Sequence, residues 1–398
     1  MNKKQPIDLN NKTILVTGAA GFIGSNLVME LLRTLETVNI INIDNMNDYY
    51  DVSLKEWRLK QIEELAAKYP KSKHTFIKGD ISDKALIDQI FANYKPDVVV
   101  NLAAQAGVRY SITNPDAYIR SNIIGFYNIL EACRHSYDNL TELPFVKGDQ
   151  GGFSTSDSKQ QKTEAEAQEQ TYKGVQHLVY ASSSSVYGSN KKVPYSTDDK
   201  VDNPVSLYAA TKKSNELLAH SYSKLYNIPS TGLRFFTVYG PAGRPDMAYF
   251  GFTNKLIKGE KIQIFNYGNC KRDFTYVDDI VEGVKRVMAG APIKVNGEDG
   301  LPLPPYAVYN IGNQTPENLL DFVQILQEEL IRAKVLPADY DFEAQKELCP
   351  MQAGDVPITF ANCEPLQNDY YFKPNTQLRD GINKFAKWYS EYYQLKSI

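Results

Sequence analysis

Short runs of β-branched and apolar residues alternate with longer amphipathic stretches along the first 240 residues of the chain. Six of these runs have the length and composition of buried strands. Because strands that alternate with helical stretches form parallel sheets covered by helices, the pattern predicts a doubly wound α/β fold with ligand sites at the carboxyl ends of its strands. The predicted strands are residues 13–16, 38–43, 74–77, 97–102, 177–182 and 231–236.

Two regions depart from this alternation. After about residue 240 the chain breaks into short elements separated by proline and glycine, as at 302–305, which predicts a smaller C-terminal α/β lobe. The segment at about 138–174 is rich in Gly, Ser, Lys, Glu and Gln and has few large apolar residues. Such a composition cannot bury much surface, so we predict a polar surface insertion there.

Composition narrows the class of protein. A chain of 398 residues with 42% hydrophobic residues can bury a large core. Its formal net charge of -3 speaks against a nucleic-acid partner, which needs a concentrated basic surface. No apolar stretch approaches the roughly 18 to 20 residues of a membrane helix, and residues 1–11 lack an apolar signal core. The cysteines and histidines show neither disulfide nor metal-ligand spacing, so we expect a cytoplasmic protein without a bound metal.

Three glycines, Gly18, Gly21 and Gly24, follow the first predicted strand and precede a helical stretch. Glycines in this position let the backbone turn sharply and approach a pyrophosphate, while the helix directs its free N–H groups toward that charge. The spacing is Gly-x-x-Gly-x-x-Gly rather than Gly-x-Gly-x-x-Gly. The loop therefore indicates a dinucleotide site in a Rossmann-type domain.

Asp44 ends the second predicted strand, where an acidic side chain accepts hydrogen bonds from the adenosine ribose. No arginine follows in residues 44–47 to pair with a 2′-phosphate, which favours NAD over NADP. Asp80, Ala103 and Ala104 follow the third and fourth strands and are expected to border the adenine and the phosphates. Residues 1–240 are thus the predicted NAD-binding domain, and residues 241–398 the mainly substrate-binding lobe.

Tyr208 stands four residues before Lys212 in a predicted helix. Tyrosine is a weak base because its ordinary pKa is about 10, but an ammonium on the same helical face favours the phenolate. The serines at 182–185 end a predicted strand and offer hydroxyl donors. Since hydride can leave an alcohol carbon only when a base takes the hydroxyl proton, these groups and the dinucleotide loop together predict an enzyme.

Longer segments resemble the extended short-chain dehydrogenases/reductases, and within them the nucleotide-sugar epimerases, most closely the UDP-glucuronate 4-epimerases. The likeness covers nearly the whole chain except the insertion, and it implies NAD as cofactor, a UDP-sugar as substrate and a homodimer formed through the helix of Tyr208. The segments that carry it are 44–51, 102–111, 206–216, 243–248, 271–279 and 354–356.

The resemblance also implies residue roles and a redox-neutral mechanism. Tyr208, assisted by Ser183 and Lys212, takes the proton of the sugar 4-hydroxyl, and hydride passes from C4 to NAD and later returns to the other face of a 4-keto intermediate. Further expected cofactor-binding residues are Ala20, Phe22, Ile23, Asn45, Ile81, Leu102, Gln105, Asn122, Tyr208, Lys212 and Phe235. The expected substrate-binding residues are Arg109, Ser183, Ser184, Ser185, Thr237, Arg244, Arg272 and Asp355.

The sugar is predicted from the residues that would face it. A buried carboxylate needs charged or hydroxyl donors, which Ser184, Ser185, Thr237 and Arg244 can supply. Relatives that act on neutral UDP-glucose usually carry Asn at the place of Thr237, and sister dehydratases and decarboxylases carry acids at the places of Ser184 and Ser185. These differences favour interconversion of UDP-glucuronate and UDP-galacturonate for polysaccharide biosynthesis.

Two other functions remain open at this point. One is a UDP-glucose or UDP-N-acetylglucosamine 4-epimerase, which shares the same motifs. The other is a non-catalytic NAD-binding sensor that uses the insertion as an interaction arm, although the intact Tyr208 and Lys212 argue against it.

Overall fold

The structure, a computed structural model, describes residues 3–137, 173–351 and 357–394. The predicted insertion at 138–174 lies outside the described residues except for its last two positions. The strands are β1 (Lys4–Pro6), β2 (Thr13–Thr17), β3 (Asn39–Asp44), β4 (Lys73–Lys78), β5 (Val98–Asn101), β6 (His177–Ser183), β7 (Ser230–Phe235), β8 (Thr237–Tyr239), β9 (Ile262–Ile264), β10 (Lys271–Tyr276), β11 (Gly290–Pro292), β12 (Val295–Asn296), β13 (Pro302–Leu303), β14 (Tyr306–Ile311), β15 (Pro316–Asn318), β16 (Lys346–Leu348) and β17 (Ile358–Thr359).

Helices connect and cover these strands. A π-helix at Ile119–Gly125 connects two of the α-helices, and 3-10 turns occur at Ser184–Tyr187 and Phe265–Gly268. The α-helices are α1 (Phe22–Thr34), α2 (Val52–Ala66), α3 (Lys84–Tyr94), α4 (Tyr110–Thr113), α5 (Pro115–Tyr118), α6 (Phe126–His135), α7 (Leu207–Tyr226), α8 (Ala248–Ile257), α9 (Val277–Met288), α10 (Leu319–Arg332), α11 (Glu364–Tyr370) and α12 (Leu378–Tyr392).

The central sheet has seven parallel strands in the order β14, β7, β6, β5, β2, β3, β4. The direction in which successive strands are added reverses between β2 and β5, which places a crevice for a ligand at the carboxyl ends of these two strands. All six runs predicted from the hydrophobic pattern are strands of this sheet. The predicted Rossmann-type doubly wound fold is confirmed.

Both faces of the central sheet are buried, which explains why its strands have continuous apolar runs instead of alternating ones. In β2, Ile14 and Val16 belong to one hydrophobic cluster while Leu15 belongs to the cluster on the other face. The first cluster continues into residues after 240, including helices α9, α10 and α12. The sheet and the later part of the chain therefore share one core.

The part of the chain after residue 240 pairs repeatedly with the N-terminal part. Strand β14 adds to β7 in the central sheet, and β11 pairs antiparallel with β1. A smaller sheet is built around β10, which pairs with β8, β15 and β17. The division into domains at residue 240 stays a prediction.

None of the helices in the described ranges is both long enough and apolar enough to cross a membrane. In the same ranges, no three His, Cys, Asp or Glu side chains are grouped as they would have to be to hold a metal ion.

Candidate active site

In the loop after β2 and at the start of the next helix, the backbone lies so close to its neighbours that side chains would not fit at Gly18 and Gly24. Gly18 has a φ of +70°, and a Cβ added there would lie 2.8 Å from the backbone nitrogen of Ala103. A Cβ added at Gly24 would lie 2.3 Å from the carbonyl oxygen of Gly18. Helix α1 follows with Gly21 as its N-cap, so no side chain caps its first N–H groups. An open loop that ends in an uncapped helix N-terminus fits a pyrophosphate.

A cavity of about 380 Å³ opens at the carboxyl ends of the central strands. Most of the predicted cofactor-binding residues line it, together with predicted catalytic and sugar-binding residues. The cofactor set on its walls is Gly18, Gly21, Phe22, Ile23, Gly24, Asp44, Asn45, Asp80, Ile81, Leu102, Ala103, Ala104, Gln105, Tyr208, Lys212 and Phe235. The catalytic and sugar-binding set is Ser183, Ser184, Ser185, Thr237 and Arg244.

Two predicted cofactor residues lie behind the cavity wall. Ala20 is buried, and its N–H donates to Asp44 Oδ2 at 3.1 Å. Asn122 is buried in the π-helix, where its Oδ1 accepts the Gln105 N–H at 2.8 Å and its Nδ2 donates to Thr211 Oγ1 at 3.0 Å. These bonds hold the wall of the cavity against helix α7, and direct contact of either residue with the cofactor stays a prediction.

Two predicted substrate residues, Arg109 and Arg272, are not part of the cavity wall, and a third cannot be placed. The exposed Arg109 has its guanidinium 5.7 Å from the ring centroid of Phe265. Arg272 donates from Nη1 to the carbonyl oxygens of Lys271 and Pro357. Asp355 lies outside the described residues. Their contacts with substrate stay predictions.

The acidic residue at the end of β3 is held by its surroundings. Asp44 is buried at the cavity wall, and its Oδ1 accepts the Met46 N–H at 2.9 Å. The ammonium of Lys55 in α2 lies 3.8 Å from Asp44 Oδ1 and donates to Asn47 Oδ1 at 2.8 Å. Burial lowers the pKa of Lys55. The sequence of residues 44–47 could not predict that Lys55 lies beside Asp44, because the fold brings this lysine from farther along the chain.

Asp80 offers a second carboxylate on the cofactor side of the cavity. Its Oδ2 accepts Asn45 Nδ2 at 3.0 Å and its Oδ1 accepts the Ser82 N–H at 2.8 Å. Burial alone would raise the pKa of Asp80, but these hydrogen bonds outweigh it and hold the pKa below its ordinary value. Asp80 is therefore an ionised acceptor at neutral pH.

The guanidinium of Arg58 is completely buried and ties three segments around the cavity. It donates to the carbonyl oxygens of Ala20, Ala242 and Gly243, each bond being 3.0 Å or shorter. It also donates to the hydroxyl of Tyr50 at 2.7 Å. Among the described residues no carboxylate pairs with it, so carbonyl dipoles and one hydroxyl balance this charge.

Tyr208 lies in the first turn of α7, which begins where Ser206 caps the N–H of Ala209 at 3.1 Å. Lys212 stands one turn later on the same face, and its ammonium donates to the Ala181 carbonyl at 2.8 Å. Burial lowers the pKa of Lys212 to about 8. This hydrogen bond fixes the catalytic helix to the end of β6.

Ser183 ends β6 and accepts the Ser185 N–H on its Oγ at 3.1 Å, which leaves its O–H free to donate. Burial raises the pKa of Tyr208, while hydrogen bonding with Ser183 and the charge of Arg244 lower it. The sequence assigned a charge that favours the phenolate to Lys212, and this role stays a prediction; the structure adds Arg244 as a cation that lowers the pKa of Tyr208.

Arg244 has a carboxylate partner that the sequence did not indicate. Its Nε donates to Asp246 Oδ1 at 3.0 Å and its Nη2 to Asp246 Oδ2 at 2.5 Å, a bidentate pair. The Tyr49 hydroxyl donates to the same Oδ2 at 3.1 Å. Other residues of the wall that the sequence did not assign to a site include Asn47, Tyr50, Lys55, Gly107, Ser121, Ser182, Val238 and Met247.

Comparison with known proteins gives the family of the chain. The profile of the NAD dependent epimerase/dehydratase family matches residues 14–312. Protein CapI of Staphylococcus aureus is 46% identical over 96% of this chain and 99% of its own length. UDP-glucuronate 4-epimerase 4 of Arabidopsis thaliana is 42% identical over 96% of this chain and 76% of its own length.

A solved structure is similar over the same extent. UDP-glucuronic acid 4-epimerase from Bacillus cereus, in complex with UDP-glucuronic acid and NAD, is 28% identical with a TM-score of 0.72. The alignment covers 96% of this chain and 100% of that one. The fold is that of the extended short-chain dehydrogenase/reductase class. Within it, the chain belongs to the NAD dependent epimerase/dehydratase family. The predicted NAD-using nucleotide-sugar epimerase, an isomerase, is confirmed.

Proposed function

We propose that the protein interconverts UDP-glucuronate and UDP-galacturonate by inverting C4 of the sugar. The observation that carries this proposal is the position of Arg244. Its guanidinium lines the same cavity as Tyr208 and is close enough to lower the pKa of that phenol. Because the carboxylate of a uronic acid is attached next to C4, at C5, a cation beside the base that acts at C4 is where this carboxylate would lie.

Hydroxyl groups complete the proposed carboxylate site. Ser184, Ser185 and Thr237 line the cavity together with Arg244. Hydrogen bonds from hydroxyl and guanidinium groups can offset the cost of taking a carboxylate out of water. The structure of the Bacillus cereus UDP-glucuronic acid 4-epimerase is a complex with UDP-glucuronic acid, which supports the same sugar here.

The residues around C4 divide the chemistry between them. Tyr208 as phenolate removes the proton of the 4-hydroxyl, and Ser183 donates a hydrogen bond that stabilises negative charge on the phenol or on the sugar oxygen. Lys212 keeps α7 and β6 in register through the Ala181 carbonyl. The glycine loop, Asp44 and Asp80 would hold NAD, which would supply a reversible acceptor for the C4 hydride. We place the UDP group near Arg109, Arg272 and Asp355, on the family resemblance.

A neutral sugar is the alternative, and one observation favours it. Nε and Nη2 of Arg244 already donate to the carboxylate of Asp246. An incoming carboxylate therefore has to share the guanidinium with Asp246 or displace it. UDP-glucose or UDP-N-acetylglucosamine would make no such demand. The experiment below separates these substrates.

Proton NMR of each UDP-sugar, incubated with the purified protein and no added NAD, tests the proposal directly. Inversion at C4 changes the H4 coupling, so both isomers can be followed in one sample. We expect kcat/KM for UDP-glucuronate to exceed that for UDP-glucose and UDP-N-acetylglucosamine by at least about tenfold, or about 1.4 kcal/mol. A tenfold preference for either neutral sugar would overturn the assignment.

We also propose a homodimer formed through α7 and the neighbouring helical segment. Apolar side chains are exposed there, with Leu217 60%, Ile124 46% and Tyr127 43% accessible. Such side chains on two adjacent helices suit a self-complementary interface between copies. We expect Leu217→Glu to convert a dimer to a monomer in analytical ultracentrifugation. Leu301→Glu is the control, since Leu301 is equally exposed but lies in the β12–β13 turn. A monomeric wild-type protein would contradict the proposal.

A further inference from the structure

Behind the cavity lies a buried charge pair that the proposed chemistry does not use. Glu216 in α7 and Arg234 in β7 are both almost fully buried, and they join through Nε–Oε1 at 2.8 Å and Nη2–Oε2 at 2.9 Å. A buried pair of this kind contributes little net stability, because desolvation cancels much of the attraction. What such a pair can supply instead is a fixed geometry between the elements that carry it.

The pair contacts both catalytic elements. Glu216 is two helical turns after Tyr208 and one after Lys212, so all three lie on one face of α7. Glu216 Oε1 also accepts the hydroxyl of Ser182 at 2.7 Å. Ser182 directly precedes Ser183 at the end of β6. One carboxylate therefore links the helix of the base to the strand of the catalytic hydroxyl.

The far side of the pair is anchored across the sheet. Ser182, Arg234 and Asn310 are in register on the adjacent strands β6, β7 and β14. Arg234 Nη1 donates to the Tyr187 hydroxyl at 3.0 Å, which donates to Asn310 Oδ1 at 2.7 Å. The carboxylate that aligns α7 with β6 is thus itself fixed by a row of polar groups over three strands.

We propose that Glu216 and Arg234 are positioning residues that set the distance between the Tyr208 phenol and the Ser183 hydroxyl. The proposal rests on the function proposed above, because it assumes that these two groups act on one sugar carbon. A shift of about 1 Å between catalytic groups can cost about 100-fold in rate. Neither positioning residue lines the cavity, so both act on turnover and not on substrate binding.

The test is Glu216→Gln, which keeps the size of the side chain but turns an N–H₂ group toward Arg234 or Ser182. We expect kcat for UDP-glucuronate to fall by at least about tenfold, equivalent to about 1.4 kcal/mol, while KM and bound NAD stay within about twofold. If Glu216 had a role in stability alone, the folded variant would keep both the kcat and the KM of the wild type.

Glu329 provides a matched control. It is 0% exposed in α10 and accepts hydrogen bonds from Arg332, Arg379 and Asn383, away from the cavity. Glu329→Gln should lower the melting temperature as Glu216→Gln does but leave kcat unchanged. Both variants are assayed below the melting temperature of the weaker one. Equal kcat values in Glu216→Gln and the wild type, or equal losses in the two variants, would overturn the proposal.

Ser182→Ala covers the case in which Glu216→Gln does not fold. It removes the hydroxyl that ties β6 to Glu216. Because Ser182 also lines the cavity, KM is measured together with kcat, and we expect kcat to fall roughly threefold to tenfold at constant KM. An unchanged kcat in this variant would refute the positioning role. Tyr208→Phe is measured in parallel: if it stays active, the proposed function fails, whereas an inactive Tyr208→Phe beside a fully active Glu216→Gln refutes only the positioning role.

Discussion

Replacing Tyr208 by Phe is expected to abolish exchange between the two UDP-uronic acids. The variant keeps the ring and its packing against Tyr118 at 6.0 Å between centroids but loses the only oxygen that can take the 4-hydroxyl proton in the proposed mechanism. General-base catalysis accounts for about 10²- to 10⁴-fold in rate, so kcat should fall by at least the lower of these factors. The measurement is the H4 signal of UDP-glucuronate by NMR.

Cofactor content separates chemistry from folding in this variant. The glycine loop, Asp44 and Asp80 are untouched, so the NAD released on denaturation should equal that of the wild type. Tyr222→Phe, on the same helix, is the control, because its hydroxyl donates to Glu131 at 2.6 Å and lies outside the cavity wall. Undiminished exchange by Tyr208→Phe would remove this residue from the mechanism.

Replacing Arg244 by Ala is expected to lower kcat/KM for UDP-glucuronate by about 10- to 100-fold, since a hydrogen bond to a charged group contributes about 1.5–3 kcal/mol. UDP itself should bind almost as tightly as before, because the cation is assigned to the sugar carboxylate. The charge of Arg244 also lowers the pKa of Tyr208. Its loss raises that pKa, so the acid limb of the pH–rate profile should move to higher pH.

Asp246→Asn is the matched variant for Arg244. It keeps the cation but removes the carboxylate that occupies its fork, and Asp246 acts to raise the pKa of Tyr208. The acid limb should then move to lower pH, opposite to the effect of Arg244→Ala, and uronate turnover should persist. If Arg244→Ala weakened UDP and UDP-glucuronate equally, the arginine would be assigned to the nucleotide instead.

Local patterns were sufficient to predict the sheet and the cofactor loop. Residues 13–16 and 97–102 are apolar on both faces, which only a doubly covered strand requires, and both are central strands of the sheet. The glycine at position 18 was predictable because the sharp turn after β2 needs a positive φ, which glycine adopts without strain. These features depend on residues that are close together in the sequence.

Pairings between distant residues were not predictable in the same way. Lys55 reaches Asp44, and the Tyr49 hydroxyl reaches Asp246, only because the folded backbone brings their elements together. Asp246 lies within segment 243–248, which carried the family resemblance, yet no periodic pattern distinguishes a paired carboxylate from a solvated one. Strand β14 was missed because it follows the short elements of the C-terminal lobe and joins the central sheet from outside the repeating pattern.

The buried Arg58 limits how the two sides of the cavity can move. Its guanidinium holds the backbone at Ala20, on the cofactor side, to the backbone at Ala242 and Gly243, just before Arg244. Opening the crevice would separate the buried Arg58 guanidinium from its carbonyl partners, which costs several kcal/mol. We therefore expect the 4-keto sugar to rotate in a cavity whose width stays nearly constant. Its release into solvent should be rare in comparison with completed inversion at C4.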